Sequence, residues 1–154
     1  MTEKRDMLRH FLATLAYRAK GLFRDIPESI LEQRPGKDAR TPREILNHVN
    51  GVLTYAHSFL VRYDSTELVP GTWELEVSRY YEILEKLDTS IRDGIPLREI
   101  TEEQLLQGPF SDAMWHLGQI SAARNAAGCA VPSENYVFAP IHSGASLKPD
   151  EVNS

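Results

Sequence analysis

Apolar residues recur at helical spacing along most of the chain, in stretches separated by proline and glycine. The first stretch ends near residues 25–27 and is followed by a polar loop, residues 33–38, that contains both proline and glycine. Apolar positions three or four residues apart are typical of an amphipathic helix. In the first stretch these apolar positions are Leu8, Phe11, Leu12, Leu15, Ala19, Leu22 and Phe23.

A second helix is predicted to begin at Thr41, where the sequence has the form of a capping box. The Thr41 hydroxyl can cap the helix, Pro42 suits its first position and Glu44 completes the box. The apolar positions that follow alternate between spacings of four and three, which indicates a buried seam in a helix bundle. They are Ile45, Val49, Val52, Ala56, Phe59 and Tyr63.

The third helix is predicted from about residue 72 to residue 92, with Gly94 as its left-handed cap. Its buried seam is predicted at Val77, Tyr80, Leu84, Leu87 and Ile91, whereas four charged residues are expected to face water: Glu76, Glu82, Glu85 and Lys86.

A second capping box, residues 101–104, predicts a short helical turn before the fourth long helix. That helix is predicted to open at Gly108 and Pro109, to run to about Ala127 and to stop at Gly128. Residues 129–154 show no period and are expected to form an irregular, extended tail. The pattern therefore predicts one all-α domain over residues 1–154, a four-helix bundle over about residues 2–128 followed by the tail.

Length, charge and cysteine content narrow the classes of function. At 154 residues the chain has the size of one domain. It carries 17 basic and 22 acidic residues, a net charge of −5, without a basic cluster, which disfavours nucleic-acid binding. The absence of a long apolar run or a signal-peptide pattern leads us to expect a cytoplasmic protein without a membrane span. The single Cys129 excludes an internal disulfide and a cysteine-based zinc site.

The candidate metal-binding and catalytic residues lie on the predicted second and fourth helices. His48 falls on the flank of the buried seam, where a histidine is either a hydrogen-bonded core residue or a ligand. Asp112, His116 and Gln119 share one face of the fourth helix, at positions i, i+4 and i+7. Asp112 can instead stabilise the amino end of that helix, and the neutral amide of Gln119 is better suited to orienting a ligand or substrate. His57 points away from His48 and cannot join the same centre.

Three segments resemble the DinB-like (DinB/YfiT-like) four-helix-bundle proteins. Residues 40–49 (RTPREILNHV) resemble the start of their second helix and residues 108–120 (GPFSDAMWHLGQI) resemble their last-helix motif. Residues 133–136 (SENY) resemble a continuation found in one branch of the family. The resemblance implies a bundle with up-down-down-up helix order, a homodimer, and a divalent metal held by one histidine of the second helix and two of the last.

Placed on this sequence, the motifs imply metal ligands at His48 and His116, and we expect Asp112, at a position where many relatives carry histidine, to be the third ligand. The metal would be Zn²⁺, Ni²⁺, Mn²⁺ or Fe²⁺. The substrate of the protein would be a small molecule such as a low-molecular-weight thiol. Gln119 would orient that substrate, and the pocket would include Trp115, Asn135 and Tyr136.

Three functions follow as competing hypotheses. The first is a metal-dependent hydrolase or thiol transferase. The second is a metal-free protein that binds a small molecule or acts as a dimeric, stress-related scaffold, with an apolar pocket lined by Trp73, Tyr80, Tyr81, Trp115 and Tyr136. The third, a DNA-damage protein in contact with nucleic acid, is disfavoured by the net charge.

Overall fold

A computed structural model describes residues 1–62, 68–144 and 147. Its α-helices are α1 Glu3–Phe23, α2 Glu28–Leu31, α3 Pro42–Ser58, α4 Trp73–Arg92, α5 Glu102–Leu105 and α6 Ser111–Ala126. A π-helical turn, Leu106–Phe110, joins α5 to α6, and a 3-10 turn, Tyr136–Phe138, lies in the tail. The described residues contain no strand, so the prediction of an all-helical chain is confirmed for them.

Side-chain caps fix the starts of the helices where the sequence predicts them. The Thr41 hydroxyl accepts from the backbone N–H of Glu44, whose carboxylate accepts from the N–H of Thr41. Thr72 caps α4 in the simpler one-sided way, and Gly94 adopts a positive φ just beyond the end of that helix. These local interactions satisfy backbone groups that a helix end leaves without partners.

The long helices pack side by side around one apolar core. Helix α3 contacts α4 and α6, and α1 contacts the same two helices. The core residues from these helices include Leu12, Leu15, Leu46, Leu53, Leu84, Leu87 and Ile120. Val52 and Phe59 of the predicted α3 seam are only partly buried, and Tyr63 lies outside the described residues. None of the described helices combines the length and the apolar character that a membrane crossing requires.

Glu76 is the main error in the predicted pattern of burial. It was expected to face water with Glu82, Glu85 and Lys86, which are exposed, but its side chain is fully buried, and Asn50 of α3 donates to its backbone oxygen. Arg79 stabilises the carboxylate through a 2.8 Å bond from Nη1 to Oε1, and the same Nη1 donates to the backbone oxygen of Val69. The pair therefore ties the segment before α4 to the core.

The fourth long helix does not open at Gly108 and Pro109 as predicted. Leu105, Leu106 and Phe110 all have right-handed helical dihedrals, so the chain runs from α5 through the π-helical turn into α6 without a break. Proline has no N–H for the ordinary i to i−4 bond, and a wider turn accommodates it inside the helix. Both residues thus lie within a helical path.

The described part of the tail lies along α1. Tyr17 donates to the Glu134 carboxylate, the Arg18 guanidinium stacks 3.8 Å from the centre of the Tyr136 ring, and Leu147 is buried in the core. The predicted extended tail is thus interrupted by the 3-10 turn at Tyr136–Phe138. Residues 145–146 and 148–154 of the tail lie outside the described part of the chain.

Candidate metal centre

Two packed helices bring three predicted ligands together. His48 projects from the middle of α3, and Asp112 and His116 project from successive turns of α6. The Nε2 atoms of the two histidines are 3.1 Å apart. Asp112 places Oδ1 3.3 Å from His116 Nε2 and Oδ2 3.9 Å from His48 Nε2. One ligand atom from each residue lies within 4.8 Å of the other two, and we call these residues the trio.

The separations within the trio suit a small divalent metal. Ligand atoms about 2.0 to 2.2 Å from a tetrahedral ion lie about 3.3 to 3.6 Å from one another. The 3.1 Å between the two Nε2 atoms, and the 3.3 and 3.9 Å from the two Asp112 oxygens to His116 and His48, bracket that range. Two imidazole nitrogens and one carboxylate are ligands that zinc and its neighbours accept. The residues present therefore fit the metal that the family resemblance implies.

Gln119 fixes the orientation and the tautomer of His116. Its Oε1 lies 3.0 Å from His116 Nδ1, and an amide oxygen only accepts hydrogen bonds, so Nδ1 carries the proton. In a neutral ring, the Nε2 lone pair then points to His48 and Asp112. A partner on the second ring nitrogen is the usual support for a histidine that binds metal. Gln119 is exposed and lies close to the trio through His116.

The surroundings of His48 favour its neutral form. Burial lowers the pKa of its imidazole, and the positive charge of Arg40 and the neighbouring His116 lower it further, while Asp112 raises it. Since a histidine binds metal only without its ring proton on the ligating nitrogen, a lowered pKa keeps the side chain competent at neutral pH. Electrostatics and geometry thus point in the same direction for this residue.

The π-helical turn bears on the alternative role predicted for Asp112. A carboxylate stabilises the amino end of a helix when free backbone N–H groups face it. Here α6 continues the helical path of α5, its first residues are preceded by helical backbone, and no side chain caps it. Asp112 instead directs both carboxylate oxygens toward histidines, which favours ligation over capping.

Two open grooves reach different residues of the trio. One has a volume of about 540 Å³, reaches Asp112 and has Val52, Tyr55, Gly108 and Trp115 among its lining residues. We call it the Trp115 groove. The other, of about 680 Å³, reaches His48 and is lined also by Asn47, Gly51 and residues 68–70. Val52 and Tyr55 line both grooves. Because the grooves reach Asp112 and His48, the trio is accessible to small molecules.

Sequence reasoning placed Trp115 beside the site but missed the rest of these walls. Tyr55 and the π-helical turn were not predicted to contribute, and Val52 was assigned to the buried seam. One signal was available, because a Gly-Pro pair inside an otherwise helical pattern indicates a kink or a widened turn.

The two predicted pocket residues of the tail lie elsewhere. Tyr136 packs edge-on against Tyr17 and lines another groove with Arg18 and Glu134. Asn135 caps the 3-10 turn by accepting from the N–H of Val137. The structure gives both residues partners on α1 or within the tail, and their predicted contact with substrate stays a prediction.

The aromatic residues proposed for a metal-free pocket do not share one cavity. Trp73, Tyr80 and Tyr81 are buried and pack edge-on around Phe23 in the core. Trp115 is exposed. Three aromatic side chains of the predicted set thus belong to the core, and Trp115 alone of the set lines the groove beside the trio.

The remaining histidines and the cysteine lie apart from the trio, which the sequence predicted for His57. His57 faces α4, where its Nε2 lies 2.9 Å from the Ser90 hydroxyl oxygen. His10 and His142 are exposed. Cys129 is half-buried just after α6, and its thiol donates to the backbone oxygen of Arg124. In the part of the chain that the structure describes, the trio is the one group of at least three such side chains with the spacing of a metal site.

Comparison of the chain with models of protein families, with curated proteins and with solved structures finds no match. The resemblance to DinB-like proteins therefore has the sequence motifs as its only support. What the trio does must follow from its own chemistry.

Proposed function

We propose that this protein is a divalent-metal-dependent enzyme whose metal is held by His48, Asp112 and His116. The observation that carries the proposal is the convergence of three electron-pair donors, from two packed helices, within 4.8 Å. Lone pairs this close repel one another unless a cation or a proton lies among them. Three protein ligands also leave coordination positions open, which distinguishes catalytic metal sites from structural ones.

The proposal includes a DinB-like four-helix bundle with up-down-down-up order. The packing of α1 and of α3 against both α4 and α6 supports the four-helix arrangement, and the up-down-down-up order rests on the family resemblance. The motifs add that His48 lies in residues 40–49 and His116 in residues 108–120, the segments that resemble the family's ligand-bearing helices.

The reaction we propose is hydrolysis or transfer of a group to a small thiol. A divalent metal acts as a Lewis acid that lowers the pKa of a ligating water or thiol toward neutrality. Gln119 holds the His116 ring through Nδ1, which fixes the direction of the lone pair on Nε2. Asp112 contributes a carboxylate that reaches both histidines, and the same residue lines the Trp115 groove, where a substrate would lie beside the metal.

Metal analysis of the purified protein tests this proposal. We expect about one divalent ion per chain, and a large loss of metal in an Asp112→Ala variant because one ligand is removed. Asp93→Ala is the matched control, since Asp93 is an exposed acid paired with Arg92 at the end of α4. The same metal content in Asp112→Ala and wild type would contradict the proposal, as would failure of the wild type to take up added zinc.

One observation favours a second candidate, a metal-free protein that binds a small molecule. At 3.1 Å, His48 can donate directly from Nε2 to His116 Nε2, and the rings then need no ion between them. This candidate predicts a melting temperature that zinc does not change. A rise in melting temperature on addition of zinc, reversed by a chelator, would exclude it.

A further inference from the structure

The Trp115 groove has unusually exposed aromatic walls. Trp115 is 73% exposed and Tyr55 is 60% exposed, although both are large and apolar. They come from different helices, α6 and α3, and line the same groove beside Asp112. Exposed apolar surface of this kind, continuous with a cluster of polar ligands, is characteristic of a binding site.

The π-helical turn supplies the open end of this groove. Gly108 and Pro109 of that turn both line it. A Cβ added at Gly108 would meet no atom within 4 Å, so the space beside the turn is free. Single π-helical turns inside helices are frequently found at functional sites. The volume of about 540 Å³ is in the range of pockets for small molecules.

The charge of the lining selects among small molecules. Asp112 is the one charged side chain among the described residues of the lining, which also include Val52, Tyr55, Gln107, Gly108, Pro109, Ser111 and Trp115. A phosphorylated or multiply anionic substrate would find no lysine or arginine among them to pair with its charges. An uncharged apolar group would instead remove Val52, Tyr55 and Trp115 from water.

We infer that the substrate carries an uncharged aryl or alkyl group that lies in the Trp115 groove while its single polar group meets the trio. This inference rests on the proposed metal site. The apolar group packs against Trp115 and Tyr55, with Gly108 leaving room for it. Its contribution is to hold the reacting group beside Asp112, which lines the same groove.

Two ligands with the same metal-binding group test the inference. Acetohydroxamate and benzohydroxamate differ in a methyl against a phenyl group, so their affinity ratio isolates the apolar contact. Calorimetric titration of the zinc-loaded protein, with zinc content checked by elemental analysis, gives both dissociation constants. We expect benzohydroxamate to bind about 30-fold more tightly, after correction for the ratio measured with free zinc.

Two groove variants make the test specific. Trp115→Ala removes one wall, and Gly108→Val fills the open space, so each should reduce the ratio to about 3-fold. Phe138→Ala is the matched control, because Phe138 is an exposed aromatic residue of the tail's 3-10 turn, and it should keep the wild-type ratio. Trp115 is exposed, and a Cβ at Gly108 would meet no atom within 4 Å, so the fold should persist in both variants.

The outcomes separate this inference from the proposed function. Zinc uptake with nearly equal affinities for the two ligands, or with a ratio unchanged in both groove variants, overturns the inference and leaves the metal site intact. Failure of the wild type to take up zinc overturns both. A ratio reduced equally by Phe138→Ala would also contradict the assignment to this groove.

Discussion

Helix α3 carries two histidines that face different neighbours and have different surroundings. His48 faces α6, where Asp112 and His116 lie 3.9 and 3.1 Å from its Nε2. His57 is nine residues further along and faces α4, where its Nε2 meets the Ser90 hydroxyl. Burial is the first cause of a lowered pKa in both rings. The difference therefore lies in what the facing helix presents.

The comparison shows that burial alone does not distinguish a ligand from a core histidine. Ser90 can donate to a neutral imidazole nitrogen or accept from it, so the His57 pair can be satisfied without an ion. At His48, a second imidazole and a carboxylate present further lone pairs, and a single shared proton leaves part of them unsatisfied. The number of electron-pair donors, more than the degree of burial, indicates a metal centre.

The largest expected difference between the two sites is in metal uptake. His116→Ala should weaken zinc binding by more than about 100-fold, because it removes a ligand and not merely its support. His57→Gln should leave zinc binding unchanged, since His57 faces the opposite side of α3. Equilibrium dialysis with zinc measures both. Equal loss in the two variants would remove the distinction between the sites.

For the free energy of unfolding, we expect the opposite order: loss of His57 should cost more than loss of His48. His57→Ala leaves a cavity and an unpaired Ser90 hydroxyl between α3 and α4, and should cost about 2 kcal/mol of unfolding free energy. His48→Ala, at a half-buried position, should cost less in the metal-free protein. Urea denaturation in the presence of a chelator measures both values. A larger loss for His48→Ala would contradict the assignment of His57 to the core.

Loss of the hydrogen bond between Gln119 and His116 should weaken zinc binding less than loss of a metal ligand does. Gln119→Ala removes the acceptor for the Nδ1 proton and should weaken zinc binding about 10-fold. Gln107→Ala is the control amide, since Gln107 lines the Trp115 groove but is not bonded to the trio's histidines in the described structure. Competition with a zinc-sensitive dye measures the affinities, and identical constants for wild type and Gln119→Ala would show that the bond does not orient the ring.

The smallest expected effect is the contribution of His57 to the pH dependence of stability. Burial, followed by the charge of Lys86, lowers the pKa of His57, so the unfolded chain binds its proton at a higher pH than the folded protein. The stabilising contribution is therefore complete above the unfolded pKa and is lost as the pH falls through the folded pKa. Between about pH 7.5 and pH 5, unfolding free energy should fall more steeply in wild type than in His57→Gln. Parallel curves would contradict this.

Local signals made much of the helical structure predictable. The boxes at Thr41 and Thr101 and the positive φ of Gly94 are set by residues within a few positions of one another. The turn at Gly108 and Pro109 was misjudged because both residues also occur at helix starts. Only the helical path on both sides, from α5 to α6, distinguishes a π-helical turn from a helix start.

The candidate site was predictable as far as helical periodicity extends. Spacing placed Asp112 and His116 on one face of α6 and separated His48 from His57. Periodicity assigns a residue to a face but does not show which residue of another helix lies opposite. Glu76 illustrates this limit, because its burial depends on Arg79 and on packing between α3 and α4. The walls formed by Tyr55 and Trp115 likewise depend on contact between α3 and α6.

Anomalous diffraction at the zinc edge, from crystals grown with one equivalent of zinc, would locate the metal itself. We expect a single strong peak about 2.0 to 2.2 Å from His48 Nε2, His116 Nε2 and an Asp112 carboxylate oxygen. A peak at other residues, or no peak with His48 bonded directly to His116, would contradict it.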